Sequence, residues 1–151
     1  EARTWLDCVA ACEDSEEHGF ADGDPGSSLI VAKPHTGRWH QIRKHMNGHS
    51  HPILGDAKHG NSKLNRWWRE KYGLQGLGLH CAALEIPLPD GTVLRARAPV
   101  RRDLVSIWEQ MPWWEEACAA LPELRGDAAL AREEAAAEEA AAQATAPATL
   151  E

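Results

Sequence analysis

Long apolar runs are missing from this 151-residue chain. None approaches the ~20 residues of a membrane-spanning helix, so no membrane partner is expected. No signal or transit pattern opens the chain. Cysteine is sparse: Cys8, Cys12, Cys81 and Cys118 are scattered, with no CxxC pair. Cys8-x-x-x-Cys12 lacks a second pair that would complete a zinc site, and no disulfide framework is evident. That usage favours a reducing compartment, so an intracellular, cytoplasmic or organellar location is expected rather than secretion. Tyrosine and phenylalanine occur once each, against seven tryptophans. There is no clear internal repeat. The chain opens on Glu1 and enters mid-pattern, so a preceding N-terminal region is expected.

The length suffices for one domain with a sizeable core. The net charge of −7 divides unevenly. Residues 1–26 hold one arginine and eight acids, and residues 113–151 two arginines and nine acids. Residues 27–112 hold thirteen lysines and arginines, six acids and seven of the eight histidines. A basic centre between acidic ends suggests a polyanionic partner, of which nucleic acid is the commonest. The plainer reading is a charge balance that only solvates the surface.

The densest chemistry lies in Thr36-Gly37-Arg38-Trp39-His40-Gln41-Ile42-Arg43-Lys44-His45-Met46. A glycine turn followed by a short basic helix presents donors to a phosphate or carboxylate. At about 100° per residue, Ile42 and Met46 share one face, with Gln41 and Arg43 flanking it. His40 and Lys44 point the opposite way. Arg43 therefore sits at the border of core and solvent, where a guanidinium can pair with a partly buried carboxylate. It can equally be an ordinary boundary arginine with a buried stem.

Strands are expected over Thr4–Val9 and Leu29–Ala32, separated by an acidic loop over Glu13–Ser28. Pro34–Arg38 reads as a turn, His40–Met46 as a helix stopping near Asn47-Gly48, and His51–Leu54 as a short strand. A loop over Gly55–Asn61 leads to a helix over Leu64–Tyr72, capped by Ser62 and ended by Gly73. Leu79–Pro87 and Thr92–Ala98 form a hairpin about Pro89-Asp90-Gly91. Leu104, Ile107 and Trp108 have helical spacing, and Leu79 and Leu84 read as core. Trp67 and Trp68, about 100° apart on a helix, are expected to divide between packing and exposure. Asp56, after a glycine, reads as a turn former or a catalytic acid. The histidines from His35 to His59 invite a metal site, but no carboxylate or cysteine stands at a convincing offset.

The motif string has a specific resemblance. Ser28-Leu29-Ile30-Val31, then Thr36-Gly37-Arg38-x-His40-Gln41-Ile42-Arg43-x-His45-Met46, resembles the third signature region of the RluA-type pseudouridine synthases. His51-Pro52-Ile53-Leu54-Gly55-Asp56-x-x-His59-Gly60 continues it. Asn65-Arg66, Gly73-Leu74-Gln75-x-Leu77-x-Leu79-His80-Cys81-Ala82-x-Leu84 and Ala98-Pro99 keep the family's order. The His-Gly, Asn-Arg and Gly-Leu-Gln pieces are similar to the branch that includes tRNA pseudouridine synthase C. The resemblance spans roughly residues 1–110, with an acidic insertion at about 12–27.

The resemblance implies an α/β (α+β) fold with a mixed, largely antiparallel sheet and flanking short helices. It implies isomerisation of uridine in tRNA or rRNA, with no metal and no organic cofactor; a monomer is expected. In that family an aspartate of an Arg-Leu-Asp motif attacks the nucleotide, and Arg43 matches the arginine that pairs with it. That motif is absent here. Leu6-Asp7 lies in a strand rather than in a turn before it. Residues 1–112 are thus expected to be a C-terminal portion of a synthase domain, inactive alone. A short helical extension over 113–126 and an Ala/Glu-rich tail over 127–151, helical or disordered, are expected to follow. The expected RNA contacts are Arg38, His40, Gln41, Lys44, His45, Lys58, Lys63 and Arg66. Trp39 stands where the family commonly has a small or polar residue. A non-catalytic RNA-binding module and a His-rich metal-dependent hydrolase are the alternatives.

Overall fold

The structure, a computed structural model, describes residues 1–12 and 25–126. Most of the acidic insertion and all of the Ala/Glu-rich tail lie outside the described residues.

β1 (Thr4–Cys12) and β2 (Ser27–Pro34) pair antiparallel, from Thr4 opposite Pro34 to Cys12 opposite Ser27. The register shifts between Cys8 and Ala10, so Val9 is the extra residue of a bulge. Both strands run longer than expected, because ladder hydrogen bonds carry Ala10–Cys12 and Ser27–Ser28 into the sheet. The acidic insertion is therefore the β1–β2 connection.

α1 (Gln41–Gly48) and α2 (Ser62–Tyr72) follow. The expected strand over His51–Leu54 is not formed. Pro52 has no amide to give a ladder, and the chain turns away at Gly55, whose φ is 75°. Only Leu54 is tied across, accepting from the Gly78 amide at 2.7 Å. The cap of α2 is Asn61 rather than Ser62: its side chain accepts from the amides of Lys63 and Leu64. Gly73 ends α2 in the left-handed region.

β3 (Ala83–Pro87) and β4 (Val93–Arg97) form the expected hairpin. Residues 79–82 do not join β3; the ladder continues only through the Ala98 amide to Ala82. Every residue of this hairpin is exposed, and Leu84, expected in the core, is 49% exposed. The α and β content and the antiparallel pairing are as expected, divided among the described residues over two two-stranded sheets.

The core gathers at the C-terminal helices. α3 (Arg102–Trp108) buries Leu104, Val105 and Ile107, and α4 (Trp114–Ala120) buries Trp114, Ala117 and Cys118. Trp68, Leu74, Val100, Met111, Trp113 and Leu124 complete it against Ala10 and Cys12 of β1. The core therefore runs across residue 112, and α4 packs on β1. Trp113 also donates from Nε1 to Ser27 Oγ at 2.9 Å, which ties the connection between α3 and α4 to β2.

Two substitutions test this packing. Leu104→Ala, at 1% exposure, is expected to cost about 2–5 kcal/mol in urea unfolding. Gly55→Ala combines a positive φ with a Cβ placed 1.8 Å from the Gly76 carbonyl oxygen. It is expected to cost more than about 1 kcal/mol by the same measurement. Parent-like midpoints would contradict these assignments.

Candidate nucleic-acid interface

The basic stretch is anchored by Gln41, the first residue of α1. Its side chain is buried at 6% exposure. Its Oε1 accepts from Thr36 Oγ1 at 2.6 Å and from the Arg38 amide at 3.2 Å. Its Nε2 donates to the Arg3 carbonyl at 2.9 Å and to Thr4 Oγ1 at 2.8 Å. Gln41, expected to face RNA, thus spends its amide inside the chain. A buried amide has to satisfy both ends, and here it joins the turn, the helix and β1.

Two residues further along α1, Arg43 meets Asp56. Nε donates to Oδ2 and Nη2 to Oδ1, each at 2.7 Å. This is the two-pronged geometry that arginine alone provides. The Asp56 side chain is 1% exposed and that of Arg43 20%. The border position expected for Arg43 is the observed one, but its carboxylate partner is within the chain. Asp56 Oδ1 also accepts from the amides of Lys58 and His59, at 2.9 and 2.8 Å. Arg43, aided by those two amides, holds the Asp56 carboxyl far below the usual carboxylate range despite its burial. The reciprocal bond keeps the guanidinium charged.

The loop bearing Asp56 is fixed from three sides. Asn65 of α2 accepts from the Gly55 amide at 2.8 Å and donates to the Asp56 carbonyl at 3.0 Å. Gly60 approaches so closely that a Cβ there would lie 2.2 Å from that same carbonyl oxygen. The glycine of the His59-Gly60 pair is therefore dictated by space.

His40 precedes α1 with φ 55° and ψ 31°, a left-handed conformation that a non-glycine residue rarely holds. Its Nδ1 lies 2.9 Å from His59 Nε2, and its ring stacks on Trp39 with centroids 4.4 Å apart at 22°. Desolvation, reinforced by Arg43, His59, Lys58 and Lys44, lowers its proton affinity, so the neutral imidazole is favoured. A hydrogen bond between two imidazoles needs at least one of them neutral.

The charges of Arg43, Lys44 and Lys58 thus converge on a neutral His40, with Lys44 and Lys58 exposed. Arg38 is exposed at the turn before α1, and Lys63 and Arg66 on α2. His45 faces elsewhere, into a shallow depression of about 570 Å³ shared with Arg3, Trp5, His35 and His49. Among the described residues no group of three or more His, Cys, Asp or Glu side chains could hold a metal. None of the described helices is long and apolar enough to cross a membrane. Sequence reasoning gave His59 no place in the site and Asp56 mainly a turn. The signal was the Gly-Asp-x-x-His-Gly spacing, which places two amides beside the carboxylate. Trp67 is covered by Lys71, whose Nζ lies 4.9 Å from its ring centroid, while Trp68 is 1% exposed.

The turn, helix and loop that hold this site are built from Thr36–Met46 and His51–Gly60, two of the motifs through which the sequence resembles the RluA-type pseudouridine synthases. Sequence comparison bears out that resemblance and its branch. The chain is 36% identical over 83 residues to tRNA pseudouridine synthase C of Vibrio vulnificus (strain CMCP6), covering 55% of this chain and 33% of the relative. It is 44% identical over 62 residues to the Yersinia pestis protein of that name, covering 41% and 24%. It is 45% identical over 62 residues to that of Haemophilus ducreyi, covering 41% and 26%. The chain thus spans a third or less of the length of these three curated relatives. No family model matches it.

The Arg43–Asp56 pair carries a pH signature. The folded chain holds Asp56 ionised to lower pH than the unfolded chain, whose aspartate titrates near 3.9. The stabilisation is complete above that value and is lost as pH falls through the lower, folded value. Asp56→Ala is expected to cost about 3 kcal/mol at pH 7. In urea unfolding the gap to the parent should stay constant between about pH 5 and 8 and shrink below about pH 4. A gap that widens in acid would contradict this.

Proposed function

We propose that this chain is the part of an RNA pseudouridine synthase that forms one wall of the RNA cleft and supplies Arg43 to the reacting centre. One observation carries the reading: an arginine fixed two-pronged on a buried carboxylate, at the edge of an exposed cationic cluster. Nε and Nη2 are engaged by Asp56, which leaves Nη1 and the 20% exposed edge to meet a second anion. The fitting second anion is the nucleophilic aspartate of an Arg-Leu-Asp segment, which these 151 residues do not contain. Asp56 is then a positioning residue: it holds the guanidinium plane, while the second carboxylate does the chemistry.

In the reaction the bond from the ribose carbon to N1 of uracil breaks and a bond to C5 forms. The C5 hydrogen leaves as a proton, and N1 gains one. A charged, immobile guanidinium keeps the attacking carboxylate ionised and oriented. Lys44, Lys58, Arg38, Lys63 and Arg66 hold the phosphate backbone, and His40 contributes a neutral donor or acceptor beside them. The names of the similar proteins support tRNA as the substrate.

A non-catalytic RNA-binding module built from the same residues is the alternative. The two separate by activity once a segment bearing His-Arg-Leu-Asp is joined ahead of Glu1. The synthase reading expects release of tritium from RNA labelled at uracil C5; the module reading expects none. In that active form Arg43→Ala should abolish release and leave RNA affinity within about threefold. Near-normal turnover would remove the role assigned to Arg43. RNA affinity should also fall steeply with salt, log K against log salt having a slope of about −2 or steeper, as three or more phosphate contacts give on a single strand. A flat response would overturn the basic-wall argument.

A further inference from the structure

We propose that Trp39 is a preassembled stacking platform for one unpaired nucleobase of the bound RNA, next to the phosphate-binding lysines. The inference rests on the RNA-binding reading above and adds a specificity element to it. Trp39 is 75% exposed, the largest exposure among the described large hydrophobic side chains. It is nonetheless held in place, because one ring face lies on the His40 imidazole at 4.4 Å and 22°. His40 is held in turn by its 2.9 Å contact with His59, whose ring meets it edge-on with centroids 5.0 Å apart. His59 is fixed through its amide on Asp56. The tryptophan is thus immobilised from behind, and its other face is open.

Two other partly exposed tryptophans differ in this respect. Trp5 has the Lys33 ammonium 5.0 Å from its ring centroid, and Trp67 has that of Lys71 at 4.9 Å. Among the described residues no ammonium covers Trp39. The charges of Lys44, Lys58 and Arg43 instead act on His40, the residue against which the indole is stacked. An open indole face beside a cluster of cations fits an unstacked base whose own phosphate is neutralised alongside. A paired duplex keeps its bases stacked on each other and has no face to offer. The platform therefore selects single-stranded or looped RNA over a duplex, without regard to which base is presented.

The test uses the 151-residue chain with two fluorescein-labelled probes: a single-stranded RNA 12-mer, and the same strand annealed to its complement. The parent is expected to favour the single strand. Trp39→Ala is expected to weaken single-strand binding about tenfold or more, to change duplex binding less than about twofold, and to leave the salt slope unaltered. Trp39→Phe keeps a stacking face and should restore most of the lost affinity. Quenching of tryptophan emission on single-strand binding should disappear in Trp39→Ala. If the parent binds with the expected salt slope and Trp39→Ala is unchanged, the platform is overturned while the basic-wall reading survives. If the parent binds neither probe, both fall. An equal loss on the two probes makes Trp39 a general contact and overturns the single-strand selectivity.

Discussion

Asp56 receives four hydrogen bonds, two from the Arg43 guanidinium and two from the amides of Lys58 and His59. A carboxylate so enclosed is worth its desolvation only while all of its donors remain in place. That condition couples parts of the chain that have little else in common. α1 is held to the following loop by Arg43. The loop is held to α2 by Asn65, whose amide grips the Gly55 nitrogen and the Asp56 carbonyl. Gly60 leaves room for the closure. The core at α3 and α4 holds the C-terminal helices to β1, while this charged knot fixes the Arg43 guanidinium.

The His40–His59 contact is built on the same knot. His59 contributes its amide to Asp56 and its ring to His40, so a single loop residue serves both the buried carboxylate and the exposed cluster. The left-handed conformation of His40 is tolerated because stacking on Trp39 and bonding to His59 offset its cost, of order 1 kcal/mol or somewhat more.

Elements whose signal lies in local chemistry were legible in the sequence. The Pro89-Asp90-Gly91 turn marks the hairpin, Gly73 ends α2, and the helical angle of Arg43 places it at the border of core and solvent. Choices between neighbouring residues were less so. Asn61 and Ser62 are both good caps, and only the approach of the chain to the amides of Lys63 and Leu64 selects Asn61. Contacts that depend on loop closure were not legible. Arg43 and Asp56 are thirteen positions apart, and no periodicity relates them. Leu84 looked like core because it is apolar in an alternating strand, yet alternation only marks a face and does not say what covers it. Conversely, Trp113, Trp114, Ala117, Cys118 and Leu121 fall on adjacent helical positions. That stripe, in the short helical extension expected over 113–126, is part of the core.

The β3–β4 hairpin stands apart from all this. Leu84, Ile86, Val93 and Leu94 are each at least 40% exposed, and they belong to a ribbon of only two strands. Such a ribbon has two free edges, whose outward-facing backbone groups find no third strand among the described residues. It is the part of the fold with least cooperative protection, so deuterium should enter its backbone long before that of α3. In concentrated solution it is also where one molecule would stick to the next, strand edge to strand edge. The residues that replace mutual cover with charge, Arg95 paired to Glu85 and Arg97 beyond it, are then its principal defence against association.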